Sequence, residues 1–426
     1  MSEEIITLGK NNIYSANDQL GINNHLLVVG GSGTGKSYSI VRPNILNCAA
    51  AGTSMVISDP KGCLEKEFTS FLIEQGYECS SINLIDVGAS ECGYNPLDYI
   101  FCEQDIVKLA HKIVYDPLTR KSTRIDPYWE KMAELVLSCA IELTIMLEEK
   151  GKDTLDRVSY YLSNIQPNGG LTNAIMETVC QEKADSLAAR QWKKILAIFP
   201  AERTFAGIIS SVHEHLARYE TAEMKKFFTN SRRLKIETIA KRKSVIFIRT
   251  SDCDESLYEF ANLIYSQMIE SLFRYADRRP CGCCENPVRF ILDDFASSVL
   301  LDGMHRIISI SRSRGISFML VTQSVSQLIS GYGNDETNTI ISNCDNIVYF
   351  GSNDYTTARY FSEIADVPVN EILWAKRGTI YIFRSGQYPR KDVRYDYTKH
   401  PLYNNLKKQQ KRKNKVLIER ETGIYK

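Results

Sequence analysis

The sequence predicts an α/β protein with a mainly parallel sheet, interrupted by an all-α domain. Three observations predict it. Short apolar, β-branched runs alternate with helical stretches near the start of the chain and again toward its end, which is the pattern of βαβ units. Between them lies a long block with helical periodicity only. The first buried strand also runs straight into a glycine-rich turn and a helix, in "HLLVVGGSGTGKSYSIVRPNIL".

Taken in order, "HLLVVG" is the first strand, with a helix from about Lys36. "SMVISDPKG" (54–62) is a second strand, closed by a turn containing Pro60 and Gly62, and "SSINLID" (80–86) is a third. Pro96 in "GYNPLDYI" then breaks the pattern. From Glu103 to Arg232 the stretches "DIVKLAHKIV", "PYWEKMAELVLSCAIELTIMLEEK", "LDRVSYYLSNI", "DSLAARQWKKILAIF" and "ERTFAGIISSVHEHLARY" repeat apolar residues at helical spacing. Asp126 and Pro127 read as cap and first residue of the second of these, and Gly151 as its end. Alternation resumes with the strand "SVIFIRT" (244–250) and the long helix "DESLYEFANLIYSQMIESLFRYADRR". The strand "VRFILDDF" (288–295), the helix "GMHRIISISRSRG" and the strand "ISFMLVTQS" (316–324) follow. "NIVYFG" (346–351) and "GTIYIFRSG" (378–386) are the last strands expected. Residues 1–102 and 233–400 thus read as two parts of one α/β domain, 103–232 as an inserted helical domain, and 401–426 as a basic, poorly ordered tail.

Composition narrows the function. With 43% hydrophobic and 24% charged residues the 426-residue chain is an ordinary globular sequence. Its 52 Lys and Arg against 51 Asp and Glu argue against a protein that coats nucleic acid along its whole surface. No run is apolar for long enough to cross a bilayer, and "MSEEIITLGK" lacks signal-peptide character, so a soluble, cytoplasmic chain is expected. Twelve cysteines are scattered without a framework, which suits a reducing compartment. Cys281-Gly282-Cys283-Cys284 is their one cluster. A zinc site there needs a second ligand pair, and only His305 stands nearby, so a reduced surface turn is the reading taken.

Gly30-Gly31-Ser32-Gly33-Thr34-Gly35-Lys36-Ser37 fits G-x-x-x-x-G-K-[ST], with the strand before and the helix after that the motif requires. Gly31, Gly33 and Gly35 permit a tight bend that aims several N–H groups at one phosphate chain. The helix N-terminus adds a positive end. Lys36 reaches the terminal phosphates of ATP, and Ser37 offers an oxygen to Mg²⁺. A site of this type needs a second acid, expected on a strand neighbouring the first. Asp293 ends the apolar run of "RFILDDFA" and is assigned to Mg²⁺, with Asp294 as the group that orients the attacking water. Gln323, after "FMLV", is placed near the γ-phosphate if its strand lies beside that of Asp293. Arg312 and Arg314 precede Gly315; they either complement a helix dipole or offer an arginine to the ATP of a neighbouring subunit.

These residues together resemble the type IV secretion coupling proteins, conjugative DNA-transfer ATPases of the FtsK–HerA superfamily. The matching pieces are "VVGGSGTGKSYSIVRPNIL", "VISDPKG", "NLID" with "YNPLDYI", "DPYWEKMAELVL", "ERTFAGIISS", "FILDDFASS" and "SRSRGISFMLVTQSVSQLIS", in the family's order, from about Asn23 to Asp396. The resemblance implies a RecA-like P-loop NTPase domain interrupted by an all-α domain. It also implies a homo-hexameric ring with ATP at subunit boundaries and DNA in the channel. Lys36 and Ser37 match the family's P-loop pair, Asp293 its magnesium acid, Gln323 its third motif, and Arg312 the position of a trans-acting arginine. Implied partners are sequence-independent DNA, relaxase or relaxosome proteins, and the ATPases and scaffold of the secretion channel, with peripheral placement at the cell membrane through them. The isolated chain is expected as a possible monomer.

The chain departs from the family in two ways. It begins only a little before its P-loop, where the family usually carries a membrane anchor, and Asp294 stands where the family usually has glutamate. A carboxylate set back by one bond suggests slow hydrolysis. Basic stretches at 231–243, at Arg274, Arg278 and Arg279, and in the tail read as solvated faces unless a ring concentrates them. Two other functions therefore stand beside a DNA-pumping motor. One is a soluble HerA- or FtsK-like translocase in plasmid or chromosome processing. The other is a weakly hydrolysing, nucleotide-gated cargo receptor.

Overall fold

The computed structural model describes residues 3–16, 21–115, 127–251 and 254–422, the last ten of these as backbone only. Asp126, the expected helix cap, lies outside the described residues. The strands are β1 (Ile5–Thr7), β2 (Ile13–Ser15), β3 (Leu26–Val29), β4 (Ser54–Ser58), β5 (Glu78–Asn83), β6 (Ser244–Arg249), β7 (Val288–Leu292), β8 (Ile316–Thr322), β9 (Asn346–Tyr349), β10 (Thr379–Arg384) and β11 (Arg390–Val393). Among the described residues, β1 and β2 pair as an antiparallel hairpin and the other nine form one sheet in the order β11-β10-β9-β3-β8-β7-β4-β6-β5. The pairs from β9 to β6 are parallel, whereas β10 runs antiparallel to both β9 and β11. Every residue of β3, β4, β7 and β9 is buried, which is why these strands read as unbroken apolar runs rather than alternating ones.

Two strand expectations need correction. The run 378–386 is not the last strand, because β11 follows it, and the β1–β2 hairpin was not anticipated. The first has a local cause. β11 reads Arg-Lys-Asp-Val and buries only Asp392, so it carries no apolar signal of its own.

Chain contacts define two compact units. One comprises residues 1–81, 235–255 and 268–426, and the other 82–234 and 256–267. The first holds most of the sheet, with α1 (Arg42–Ala51) and α2 (Cys63–Glu74) contributing to a core of Val28, Ile40, Ile45, Ile57, Phe68, Phe71, Ile291 and Met319. The second is built from α3 (Glu103–Val114), α4 (Pro127–Leu147), α5 (Leu155–Ser163), α6 (Leu171–Glu182), α7 (Leu187–Leu196), α8 (Glu202–Leu216) and α9 (Ala222–Phe228). Helix α4 is buried almost all round in its middle because α3, α5, α7 and α8 pack against it. Its one interior acid, Glu142, accepts the backbone N–H of Ala188 at the start of α7, a partner for both the buried carboxylate and the positive helix end.

In the first unit the chain continues through α10 (Ile236–Lys241), the second half of α11 (Tyr258–Asp277), α12 (Met304–Ser311), α13 (Val325–Ser342), α14 (Tyr355–Ala365) and α15 (Val369–Leu373). The basic tail, expected to be poorly ordered, carries a helix, α16 (Tyr403–Thr422). Leu406 is fully buried in the core, and Gln410 donates its amide to the Glu67 carbonyl of α2 at 3.2 Å. A single anchoring leucine among lysines and glutamines is too sparse for periodicity to reveal.

Asp392 joins the two ends of this unit. It accepts from the N–H and side-chain amide of Asn11 at 2.9 Å each, from the Asn12 amide at 2.6 Å, and from its neighbour Val393 N–H at 2.7 Å. Burial works against its charge, but the bonds from Asn12, Asn11 and Val393 outweigh it and hold the carboxyl below the usual range. Its contribution is therefore present above the ordinary carboxylate pKa and is lost as pH falls through the depressed folded value. Replacing Asp392 with alanine should destabilise the chain by about 1–3 kcal/mol in denaturant titrations at neutral pH. The difference from wild type should shrink as the medium is acidified below the ordinary carboxylate pKa.

Candidate functional site

The P-loop is anchored on both sides. Gly30 N–H donates to the Thr322 carbonyl at the end of β8 at 3.2 Å, and Gly31 N–H to the Gly351 carbonyl just after β9 at 3.0 Å. Gly33 and Gly35 have φ of +72° and +94°, the left-handed region that favours glycine. Gly31 does not, so the bend expected of three glycines rests on two of them. Gly30 is required for another reason. A Cβ there would stand 2.6 Å from the Phe350 Cβ, closer than real contacts come.

The helix expected from about Lys36 is present and opens on a wider turn. Ser37–Val41 form one π-helical turn, closed by Arg42 N–H on the Ser37 carbonyl, before α1 begins. Wide turns of this kind are frequent at functional sites. At the start of this turn the Ser37 side chain reaches across the sheet, where its hydroxyl donates to Asp293 Oδ2 at 2.8 Å. The expectation that Asp293 lies on a strand adjacent to β3 is corrected here. Strand β8 runs between β3 and β7, and at a strand spacing of about 4.8 Å this opens a gap of roughly 10 Å that Ser37 bridges.

Lys36, 9% exposed, folds over the loop, its ammonium donating to the carbonyls of Gly30 and, at 3.1 Å, Gly31. Burial lowers its pKa, and the carboxylates of Asp293 and Asp294 oppose that shift. Burial raises the pKa of Asp293, the Ser37 hydrogen bond lowers it, and the net shift is upward. The site thus keeps one cation and two carboxylates within electrostatic reach of one another in a partly dry setting.

Asp294 has φ +57°, an unusual backbone for a residue with a side chain. It is held there by a turn in which its carbonyl accepts from the N–H groups of Ser297 and Ser298 and from the Ser297 hydroxyl. Gln323 follows β8, the strand that separates β3 from β7, so it does lie between the P-loop and the acid pair. Its backbone N–H donates to Gln327 Oε1 at 3.1 Å and its side chain is exposed.

Arg312 is not brought to this site. It precedes β8, and that seven-residue strand carries the chain roughly 20 Å from Arg312 toward Gln323. Its guanidinium donates to the Gly21 carbonyl beside a cavity of about 500 Å³ at the opposite, amino edge of the sheet, where Glu4, His25, Ile316 and Ser317 also line the wall. Arg314 bonds Asp277 Oδ1 at 2.9 Å and lies over the Phe273 ring. His305 pairs with Glu336, away from the cysteine turn, and no three His, Cys, Asp or Glu side chains gather into a metal site among the described residues.

Two arginines that sequence reasoning did not single out meet the P-loop from the antiparallel edge. Arg377 Nη2 donates to the Gly33 carbonyl at 3.2 Å, and Arg394 Nη1 lies 3.1 Å from where a Gly35 Cβ would stand. Nothing in "WAKRGT" or "KDVRYD" signals this, because the approach depends on β10 and β11 folding back beside β9.

The fold and this edge define the class: a RecA-like P-loop domain with a helical domain inserted. The chain matches the family described as "Type IV secretory system Conjugative DNA transfer" over residues 2–365, and it belongs to that family. It is 24% identical over 366 residues to the conjugal transfer protein TraG of Rhizobium radiobacter, covering 83% of this chain but 54% of that protein, so it spans about half the length of that relative. Among solved structures, the plasmid coupling protein TrwB in complex with the ATP analogue ADPNP superimposes with a TM-score of 0.65 at 18% identity, over 87% of this chain and 85% of that one. VirB4 of Thermoanaerobacter pseudethanolicus gives a TM-score of 0.59 at 12% identity, over 93% of this chain and 97% of that one. Both likenesses are of fold.

Substituting Gly30 with alanine should lower stability by about 1–3 kcal/mol through overpacking against Phe350. An alanine at Gly33, where a Cβ has open space but φ is positive, should cost about 1 kcal/mol. Thermal unfolding of the two variants checks the order.

Proposed function

We propose that the chain binds Mg·ATP at this edge and uses its hydrolysis to recruit and move DNA, carried as a relaxase–DNA cargo, into a type IV secretion channel. One observation carries the nucleotide part: the Ser37 hydroxyl meets the Asp293 carboxylate at 2.8 Å beside the Lys36 ammonium, at the mouth of a glycine-rich loop. A hydroxyl and a carboxylate are hard oxygen donors, the set that suits Mg²⁺. Ser37 and Asp293 would hold that ion, which supplies charge neutralisation to the phosphates when bound.

The chain's own groups then have separate tasks. Backbone N–H groups of Gly33, Gly35, Lys36 and Ser37 cradle the phosphates, and Lys36 exchanges its loop carbonyls for phosphate oxygens. Asp294 orients the attacking water, and Gln323 reads the terminal phosphate from the end of β8. Arg312 completes a neighbouring copy's site. Its exposure and its distance from its own P-loop are compatible with that reading, since an arginine at the amino edge cannot reach the nucleotide of its own chain. A homo-hexameric ring with six such boundaries would also multiply each lysine or arginine on the channel wall, giving sequence-independent, salt-sensitive DNA binding. TrwB has been captured with ADPNP and with ADP and Mg²⁺, which favours the same ligands here. No helix among the described residues is long and apolar enough to cross a membrane. Contact with the membrane and channel is proposed to run through partner proteins.

The left-handed backbone of Asp294 favours a second reading, a nucleotide-gated cargo receptor that hydrolyses slowly. Family membership favours secretion over chromosome processing. ATP turnover measured with and without single-stranded or duplex DNA separates motor from receptor. A motor should be stimulated by DNA and silenced by Lys36→Ala; turnover indifferent to both would overturn the motor. Asp294→Glu, which restores the longer acid, should raise turnover by up to roughly 10²-fold if the carboxylate's reach limits the reaction. An unchanged rate removes Asp294 from the water-orienting role.

A further inference from the structure

The cysteine turn that the function does not use has its own chemistry. Cys281 is exposed, Cys283 half-buried and Cys284 buried. The Cys283 thiol points at the Cys281 sulfur at 3.2 Å, across a single glycine. Gly282 has φ +66°, and nothing lies within 4 Å of where its Cβ would stand, so the turn is glycine-shaped and open on its outer side. The Cys281 thiol in turn lies 3.5 Å from the Cys283 carbonyl, which accepts from it. Its contacts with the Cys283 backbone and thiol hold Cys281 below the ordinary thiol value, and Arg279 adds a smaller push in the same direction. The same contact raises Cys283, while burial pushes Cys284 up to about 12.

We infer that Cys281 and Cys283 form a redox-active dithiol, with Cys281 the attacking and Cys283 the resolving sulfur, and that its substrate is a low-molecular-weight disulfide. The Cys281 thiolate attacks one sulfur of the small disulfide, making a mixed disulfide and releasing one small thiolate, which takes up a proton. Cys283 then loses its proton and attacks the Cys281 sulfur, closing the Cys281–Cys283 bond and releasing the second small thiol. Two protein thiols are oxidised and one small disulfide is reduced to two thiols. Cys284 takes no part.

The position of the turn gives closure a structural consequence. Cys284 N–H donates to the Arg314 carbonyl at 2.9 Å, and the Cys283 Cβ lies 4.0 Å from where a Gly315 Cβ would stand. Closing the bond pulls on the one-turn segment Arg312–Arg314, which holds Arg312 at the amino edge. The inference does not depend on nucleotide binding, because closure is read without ATP.

The test uses the full chain, reduced and then exposed to oxidised glutathione, with peptide mass mapping across Cys281 to Cys284. Wild type should lose two hydrogens in this peptide and keep no glutathione. Cys283→Ser should trap glutathione on Cys281, Cys281→Ser should react at neither sulfur, and Cys284→Ser should close like wild type. In the reduced chain, alkylation of Cys281 should outpace that of Cys284 by more than roughly tenfold. A stable glutathione adduct on wild-type Cys281, or a bond to Cys284, overturns the dithiol. Amide exchange in the peptide holding Arg312 to Arg314 should change on closure, and unchanged exchange overturns the link to that segment.

Discussion

The hydrogen bond from Ser37 to Asp293 is the constraint on which the rest of the site depends. It joins residues 256 positions apart in sequence and two strands that do not touch. The bond forms only because β3 and β7 both end at the carboxy edge of one parallel sheet with β8 between them. Parallel pairing makes such an edge, where loops after successive strands converge.

Strand β8 ties the two edges together. At its carboxy end stands Gln323, level with the P-loop, and at its amino end the Arg312–Arg314 segment leads into it. Apart from half-buried Ser317 the strand is buried, and it is flanked by β3 and β7, so displacement at one end is carried toward the other.

The antiparallel edge adds what the parallel core lacks. β10 and β11 fold back beside β9, bringing Arg377 and Arg394 to the outer wall of the P-loop and Asp392 to the N-terminal hairpin. A segment that reads as plain and charged therefore both braces the loop and closes the chain on itself, through contacts 381 positions apart.

The sequence by itself determined the strand–loop–helix of the P-loop, the acid pair after β7, the apolar central strands and the helical insertion. In each case the signal is local. A motif must be contiguous to bend around a phosphate, and a strand or helix must repeat its apolar residues at its own period to be buried. Only the tertiary structure decided the strand order that puts β8 between β3 and β7, the distance of Arg312 from its own P-loop, and the arrival of Arg377 and Arg394. It also decided the helical form of the tail, anchored by Leu406. Those features arise from pairing and packing between distant segments, and no local pattern of side chains records which partner a strand edge or a lone leucine will meet.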